Sequence, residues 1–223
     1  MDKFKDVRYY PSYSVTEAAF YLRLPVSTLR AWIGRQRNFE PLIAPAQVAP
    51  LSLSFINLIE AYVLASIRRK HKISMSKVRN GLKFISKEFA SDHPLAEKEF
   101  ETDGISLFLK QSGTVYDLTT EGQIVLEDVI KQYLQRIERD TKGFPVKLYP
   151  FSRNGEPDEP KYIMIDPNVS FGRPMLSQKG IPVEVIAERY KAGESMTELI
   201  QDYECSQEEI EEAIRCRLWK EAA

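Results

Sequence analysis

The chain has 223 residues, 43% of them hydrophobic, and a formal net charge of −1. That composition suffices for one large core or two small ones, and no run of about 18 apolar residues is present to span a membrane. The start, Met1-Asp2-Lys3-Phe4-Lys5-Asp6, lacks the apolar stretch of a secretory signal, so a cytoplasmic chain with no membrane contact is expected. The near-zero charge conceals a gradient. Residues 1–90 carry 15 Lys and Arg against 6 Asp and Glu, residues 91–181 carry 11 against 15, and residues 182–223 carry 5 against 11. A basic front favours a polyanion and an acidic rear repels one, so the two ends are expected to engage different partners.

In chain order, Ser14-Val15-Thr16-Glu17 forms a capping box, predicting a short helix to about Leu22 with Val15, Ala18, Ala19 and Leu22 on one face. Leu24-Pro25 breaks it, and a second helix is expected from Pro25 to about Ile33, with Leu29, Trp32 and Ile33 turned inward. Phe39, Leu42, Ile43 and Val48 suit a small β-wing. Ser54 to about Lys70 is an amphipathic helix on Phe55, Leu58, Ile59, Tyr62, Val63 and Ile67. Ser74 or Ser76 caps a further helix through Val78, Leu82, Ile85 and Phe89.

Beyond residue 90 the pattern changes. Ser106 to Lys110 and Thr114 to Leu118, separated by Gln111-Ser112-Gly113, suggest a β-hairpin. Ile124 to about Glu138 suggests a helix, with a strand at Ile124–Leu126 as the alternative, and Gly143 to Phe151 suggests an extended segment. Arg153 to Pro160 has the composition of a linker. Tyr162 to Ile165 suits a strand and Asp166-Pro167-Asn168 a turn. Helices follow at Val183–Lys191, after Ser195 and after Ser206, the last two opened by capping boxes with Glu198 and Glu209. The expected domains are 1–90, a middle region of β-hairpin and helix at 91–155, and 156–223. The chain is thus expected to be mainly α with small β-hairpins.

The run Tyr13-Ser-Val-Thr-Glu-Ala-Ala19, followed by Leu24-Pro-Val-Ser-Thr-Leu-Arg-Ala-Trp-Ile33, resembles the winged helix-turn-helix of the MerR family. The resemblance covers roughly residues 10–90 and implies a second helix that enters the DNA major groove. The residue pattern suits that role: Ser27, Thr28, Arg30 and Ala31 fall away from the apolar face and point outward. Arg35 and Arg37 follow where a wing would track phosphates, and Arg68, Arg69, Lys70 and Lys72 form a second basic knot. Arg30 is the candidate for a base-edge or phosphate contact. The competing reading is a small helical domain with a solvated basic face. MerR regulators continue into a long dimerising helix, which the residues after 90 do not match.

Gly172-Arg-Pro-Met-Leu176, Ile181-Pro-Val183 and Gly193-Glu-Ser195 occur in the order found in the bacterial family called domain of unknown function 433. This resemblance covers about residues 160–217 and implies a trihelical, helix-turn-helix-like domain. The loop Ser177-Gln-Lys-Gly180 departs from the family's usual Gly-Thr-Arg. A MerR-like front joined to this module resembles VapB-type antitoxins of type II toxin-antitoxin systems. The resemblance implies a homodimer that represses its own operon and neutralises a PIN-domain ribonuclease toxin by direct binding. A MerR-like transcription regulator without a toxin partner is the alternative. On the last helix Glu208, Glu211 and Glu212 share a face that phosphates would repel, so a protein contact, or a simply solvated acidic surface, is expected there. Trp219 suits either a partner's pocket or the core.

No chemistry-bearing constellation stands out. Cys205, Cys216, His71 and His93 lack the tight four-ligand spacing of structural zinc. The carboxylates are scattered, and no Gly-rich phosphate loop is present. A non-enzymatic protein without metal or cofactor is expected.

Overall fold

The structure, a computed structural model, describes residues 6–34, 40–70, 73–113, 120–150 and 156–218. Ser14 ends β1 (Tyr13–Ser14) and caps α1 (Val15–Tyr21): its hydroxyl accepts from Glu17 N while Glu17 Oε2 accepts from Ser14 N at 2.9 Å. The chain leaves α1 through Arg23, which is left-handed at φ 53°, and Pro25 stands at the N-cap of α2 (Val26–Ile33). Leu29, Trp32 and Ile33 are buried as their spacing requires.

The expected wing is shifted. Leu42 and Ile43 donate their N–H groups to Trp32 O, so they close the end of α2 instead of forming a strand. The hairpin forms later, from β2 (Gln47–Val48) and β3 (Leu51–Leu53), and β3 also pairs with β1, giving the antiparallel order β1-β3-β2. Phe39 lies outside the described residues.

Helix α3 (Phe55–Lys70) is buried from Phe55 through Ile67, with no solvated face along that stretch. It runs through the centre of the first core, packed against β3, a short 3-10 turn at Val7–Tyr9, and two elements expected elsewhere, α6 (Thr120–Leu134) and β5 (Pro145–Leu148). Its polar residues are bonded internally: Ser54 N donates to Asn57 Oδ1 at 3.1 Å, Tyr62 Oη to Tyr133 O at 3.1 Å, and Ser66 Oγ to Tyr62 O at 2.9 Å. Ser74, rather than Ser76, caps α4 (Met75–Glu88), accepting from Lys77 N.

Residues 105–111 correct the sequence expectation outright. They form α5 (Ile105–Gln111), preceded by a π-turn at Phe100–Gly104, and not a strand. Ile105, Phe108 and Leu109 are buried at helical spacing, and Phe108 sits where α4 carries Gly81. A Cβ on Gly81 would stand 2.6 Å from the Phe108 ring. The other half of the expected hairpin, 114–118, lies outside the described residues. Helix α6 ends at Leu134, short of Glu138, because β4 (Ile137–Arg139) pairs antiparallel with β5. Between them Arg136 is 1% exposed, its guanidinium donating to the carbonyls of Tyr149 at 2.8 Å and Glu159 at 2.6 Å.

The last segment has its own core. Strands β6 (Ile163–Met164) and β7 (Met175–Leu176) form a hairpin over α7 (Val183–Lys191), α8 (Met196–Tyr203) and α9 (Gln207–Leu218). Ser195 with Glu198, and Ser206 with Glu209, make the expected capping boxes. One buried cluster runs from Tyr13 to Leu148 and takes in Ile165, so the apolar residues of 91–148 share a core with the first 90. A second joins Ile163 to Ile214. Leu148 and Ile165 exchange backbone hydrogen bonds of 2.9 and 2.8 Å where the two meet.

Candidate nucleic-acid interface and the acidic module

Helix α2 faces solvent where the sequence pattern places its polar side: Ser27, Arg30 and Ala31 are exposed and Thr28 is half-buried. Beside it opens a groove of about 560 Å³. Thr28 and Ala31 form one wall, and Arg68, Arg79 and Lys83 of α3 and α4 the other. Among the described residues, three cations and no carboxylate line this groove, which suits a phosphate chain. Arg79 Nη1 donates to Glu40 O at 2.8 Å and Arg68 Nη1 to Met75 Sδ at 2.8 Å, so both guanidinium groups are held in place from behind.

Of the sequence-predicted site residues, Thr28 and Arg68 are brought together in this groove, while Ser27 and Arg30 are exposed on α2 and do not line it. Arg35 and Arg37 lie outside the described residues, as do the side chains of Arg69 and Lys70. Sequence reasoning missed Arg79 and Lys83. Their signal was present: four residues apart on α4, they flank the apolar stripe of Val78, Leu82 and Ile85.

The acidic face of α9 divides. Glu208 is exposed, and Glu211 is half-buried and accepts from Gln207 Nε2 at 2.7 Å. Glu212 is 0% exposed, with Oε2 accepting from Arg215 Nη1 at 2.6 Å. It therefore does not belong to a surface with Glu208, contrary to the helical-spacing argument. Helix α9 packs on α7, α8 and β7. Burial lowers the Arg23 guanidinium pKa, opposed by Cys216 and Glu212, and burial pushes the Cys216 thiol up to about 12. A raised thiol pKa disfavours the thiolate form. Trp219 lies outside the described residues.

The carboxylate of Glu184 on α7 takes Arg173 Nη1 at 3.0 Å and Arg217 Nη2 at 2.8 Å, tying the β6–β7 loop to the end of α9. Among the described residues no group of three His, Cys, Asp or Glu is arranged to hold a metal ion, and no helix is long and apolar enough to cross a membrane.

Residues 163–215 match the family described as "Protein of unknown function (DUF433)". In an alignment of 236 positions, gaps included, that covers 92% of this chain and 92% of the relative, the sequence is 27% identical to a Mycobacterium tuberculosis protein named "Putative antitoxin VapB45". In three dimensions the chain is similar to the crystal structure of Rv2018 from Mycobacterium tuberculosis, with a TM-score of 0.71 over 92% of this chain and 98% of that one, at 21% identity. At that identity the likeness is one of fold.

Proposed function

We propose that this chain is an antitoxin of a type II toxin-antitoxin system, which represses its own operon by binding DNA and restrains a PIN-domain ribonuclease by direct contact. The observation that carries the reading is the near end-to-end similarity to a relative named as an antitoxin, in a chain whose two ends carry opposite charge. In this reading α1, the turn at Arg23 and α2 act as a MerR-like helix-turn-helix, with β2 and β3 as its wing. Ser27, Thr28 and Arg30 face the major groove, and Arg68, Arg79 and Lys83 take phosphates. The acidic surface of α9, with Glu208 and Glu211, is the contact for the toxin. A homodimer reads a palindromic operator, and the protein acts in the cytoplasm.

Two measurements test this. Co-expression with the product of the adjacent gene is expected to yield a stable complex in which RNA cleavage is abolished. The chain is also expected to bind duplex from upstream of its own gene with an affinity that falls steeply with salt. A free, active ribonuclease beside this protein rejects the toxin half, and salt-insensitive or absent duplex binding rejects the DNA half.

A further inference from the structure

One buried side chain joins both feet of the β2–β3 hairpin. Asn57 of α3 is 0% exposed; its Nδ2 donates to Ala44 O at 2.8 Å, and its Oδ1 accepts from Ser54 N at 3.1 Å. Ala44 follows Leu42 and Ile43, which close α2 on Trp32 O, and Ser54 follows the end of β3. Pairing with β1 steadies the β3 side, and Asn57 links that side to Ala44. The tip is braced within itself, Gln47 Nε2 donating to Ala49 O at 2.9 Å and Ser52 Oγ to Pro50 O at 3.1 Å. A hairpin braced in this way moves as one piece, so its position against α2 is set at its feet.

Asn57 is itself oriented. Its amide also donates to Glu60 Oε2 at 3.3 Å, and the same oxygen lies 2.9 Å from His93 Nδ1. His93 belongs to the segment after α4, remote in sequence from the hairpin; its N–H donates to Ser91 Oγ at 3.0 Å, and its ring packs on that of Tyr9 with centroids 5.8 Å apart. Glu60 is 1% exposed, among the apolar residues of α3. A carboxyl group there costs stability that an apolar side chain of similar size would not. What a bonded polar network supplies instead is one fixed arrangement, where apolar packing tolerates several. The group fixed here is the Asn57 amide.

We infer that Asn57, oriented by Glu60 and His93, is a positioning residue for duplex binding: it sets the hairpin against α2 so that the tip at Val48 meets the DNA. This rests on the function proposed above, in which β2 and β3 are the wing. Residues 44–54 contain no Lys, Arg, Asp or Glu, and Val48 is 77% exposed. Such a tip displaces no counterions from phosphates, so its share of the affinity is independent of salt, unlike that of Arg68, Arg79 and Lys83. An uncharged contact also has no long-range attraction to guide it, and depends on being held in place beforehand.

Titrations of the full chain with duplex from upstream of its own gene, at several salt concentrations, test this. Asn57→Ala is expected to weaken binding about tenfold at every salt concentration, leaving the slope of log affinity against log salt unchanged. His93→Ala should weaken it about threefold, and His93→Asn, whose amide can keep the donor to Glu60, should bind within about twofold of the unaltered chain. Val48→Ser should weaken binding by the unaltered chain and add nothing in an Asn57→Ala background, where the tip is already displaced. In amide hydrogen exchange, residues 45–53 should lose protection in Asn57→Ala while α7–α9 keep theirs. A uniform loss of protection, a changed salt slope, or additive costs of Asn57→Ala and Val48→Ser overturn the inference. If Asn57→Ala does not fold, the His93 variants decide, and equal binding by both overturns it. An unaltered chain that binds no duplex overturns the DNA reading and this role with it. A chain that binds duplex and tolerates these changes loses the positioning role alone.

Discussion

The imidazole Nδ1 of His93 lies 2.9 Å from Oε2 of Glu60, a carboxyl group buried in the middle of α3 and also within 3.3 Å of Asn57 Nδ2. Burial raises the Glu60 pKa above its ordinary 4.5, opposed by His93 and Asn57. A carboxyl group with a raised folded-state pKa holds its proton more tightly when folded than when unfolded. Its favourable contribution is complete below the unfolded value and is lost as the pH climbs through the folded one. Glu60→Gln is therefore expected to flatten the pH dependence: as the pH rises above the ordinary carboxyl value of 4.5, the wild type should lose stability relative to the variant. Urea midpoints measured at successive pH values above that point check it, and parallel profiles refute it.

The exposed side of α2 and the basic groove beside it separate two kinds of contact. Arg30→Ala should weaken operator binding by about 1–3 kcal/mol and relax sequence preference if Arg30 reads a base. Arg79→Ala and Lys83→Ala should weaken all duplexes alike, each reducing the slope of log affinity against log salt by about 1. Titrations of specific and scrambled duplex at several salt concentrations distinguish these outcomes. Unchanged slopes remove α4 from the interface.

The two classes of acid on α9 should behave oppositely. Glu208→Gln and Glu211→Gln are expected to spare stability and duplex binding and to weaken the complex with the ribonuclease. Glu212→Gln should instead destabilise the fold by about 1–2 kcal/mol, because it leaves a buried site without its charge-assisted bond to Arg215. Arg215 is 41% exposed, so solvent relieves part of that loss. Chemical denaturation alongside a pull-down tests the division, and a stable Glu212→Gln chain with a weakened complex would reverse it.

Gly81→Ala should cost about 1–3 kcal/mol, since its Cβ would overlap the Phe108 ring. In a Phe108→Leu background the same change should cost less, a coupling that a double-mutant cycle in urea measures. Additive costs would mean that α4 and α5 do not meet at this pair.

What was legible in the residues was local. Ser14 with Glu17, Ser195 with Glu198, and Ser206 with Glu209 start their helices through hydrogen bonds that span three residues, so each start is present in the sequence itself. The outward face of α2 follows equally from its own spacing. The tertiary structure alone decided the features whose partners are remote in the chain. Ile105–Gln111 is a helix because Phe108 finds room over Gly81, 27 residues earlier. Glu212 is inside although its spacing puts it on the face of the exposed Glu208, because α9 packs into the second core with Arg215 as its partner. Arg79 and Lys83 join Thr28 and Arg68 in one groove because α3 and α4 fold beside α2. Periodicity places a residue on a face of its own helix, but what covers that face depends on packing between distant segments.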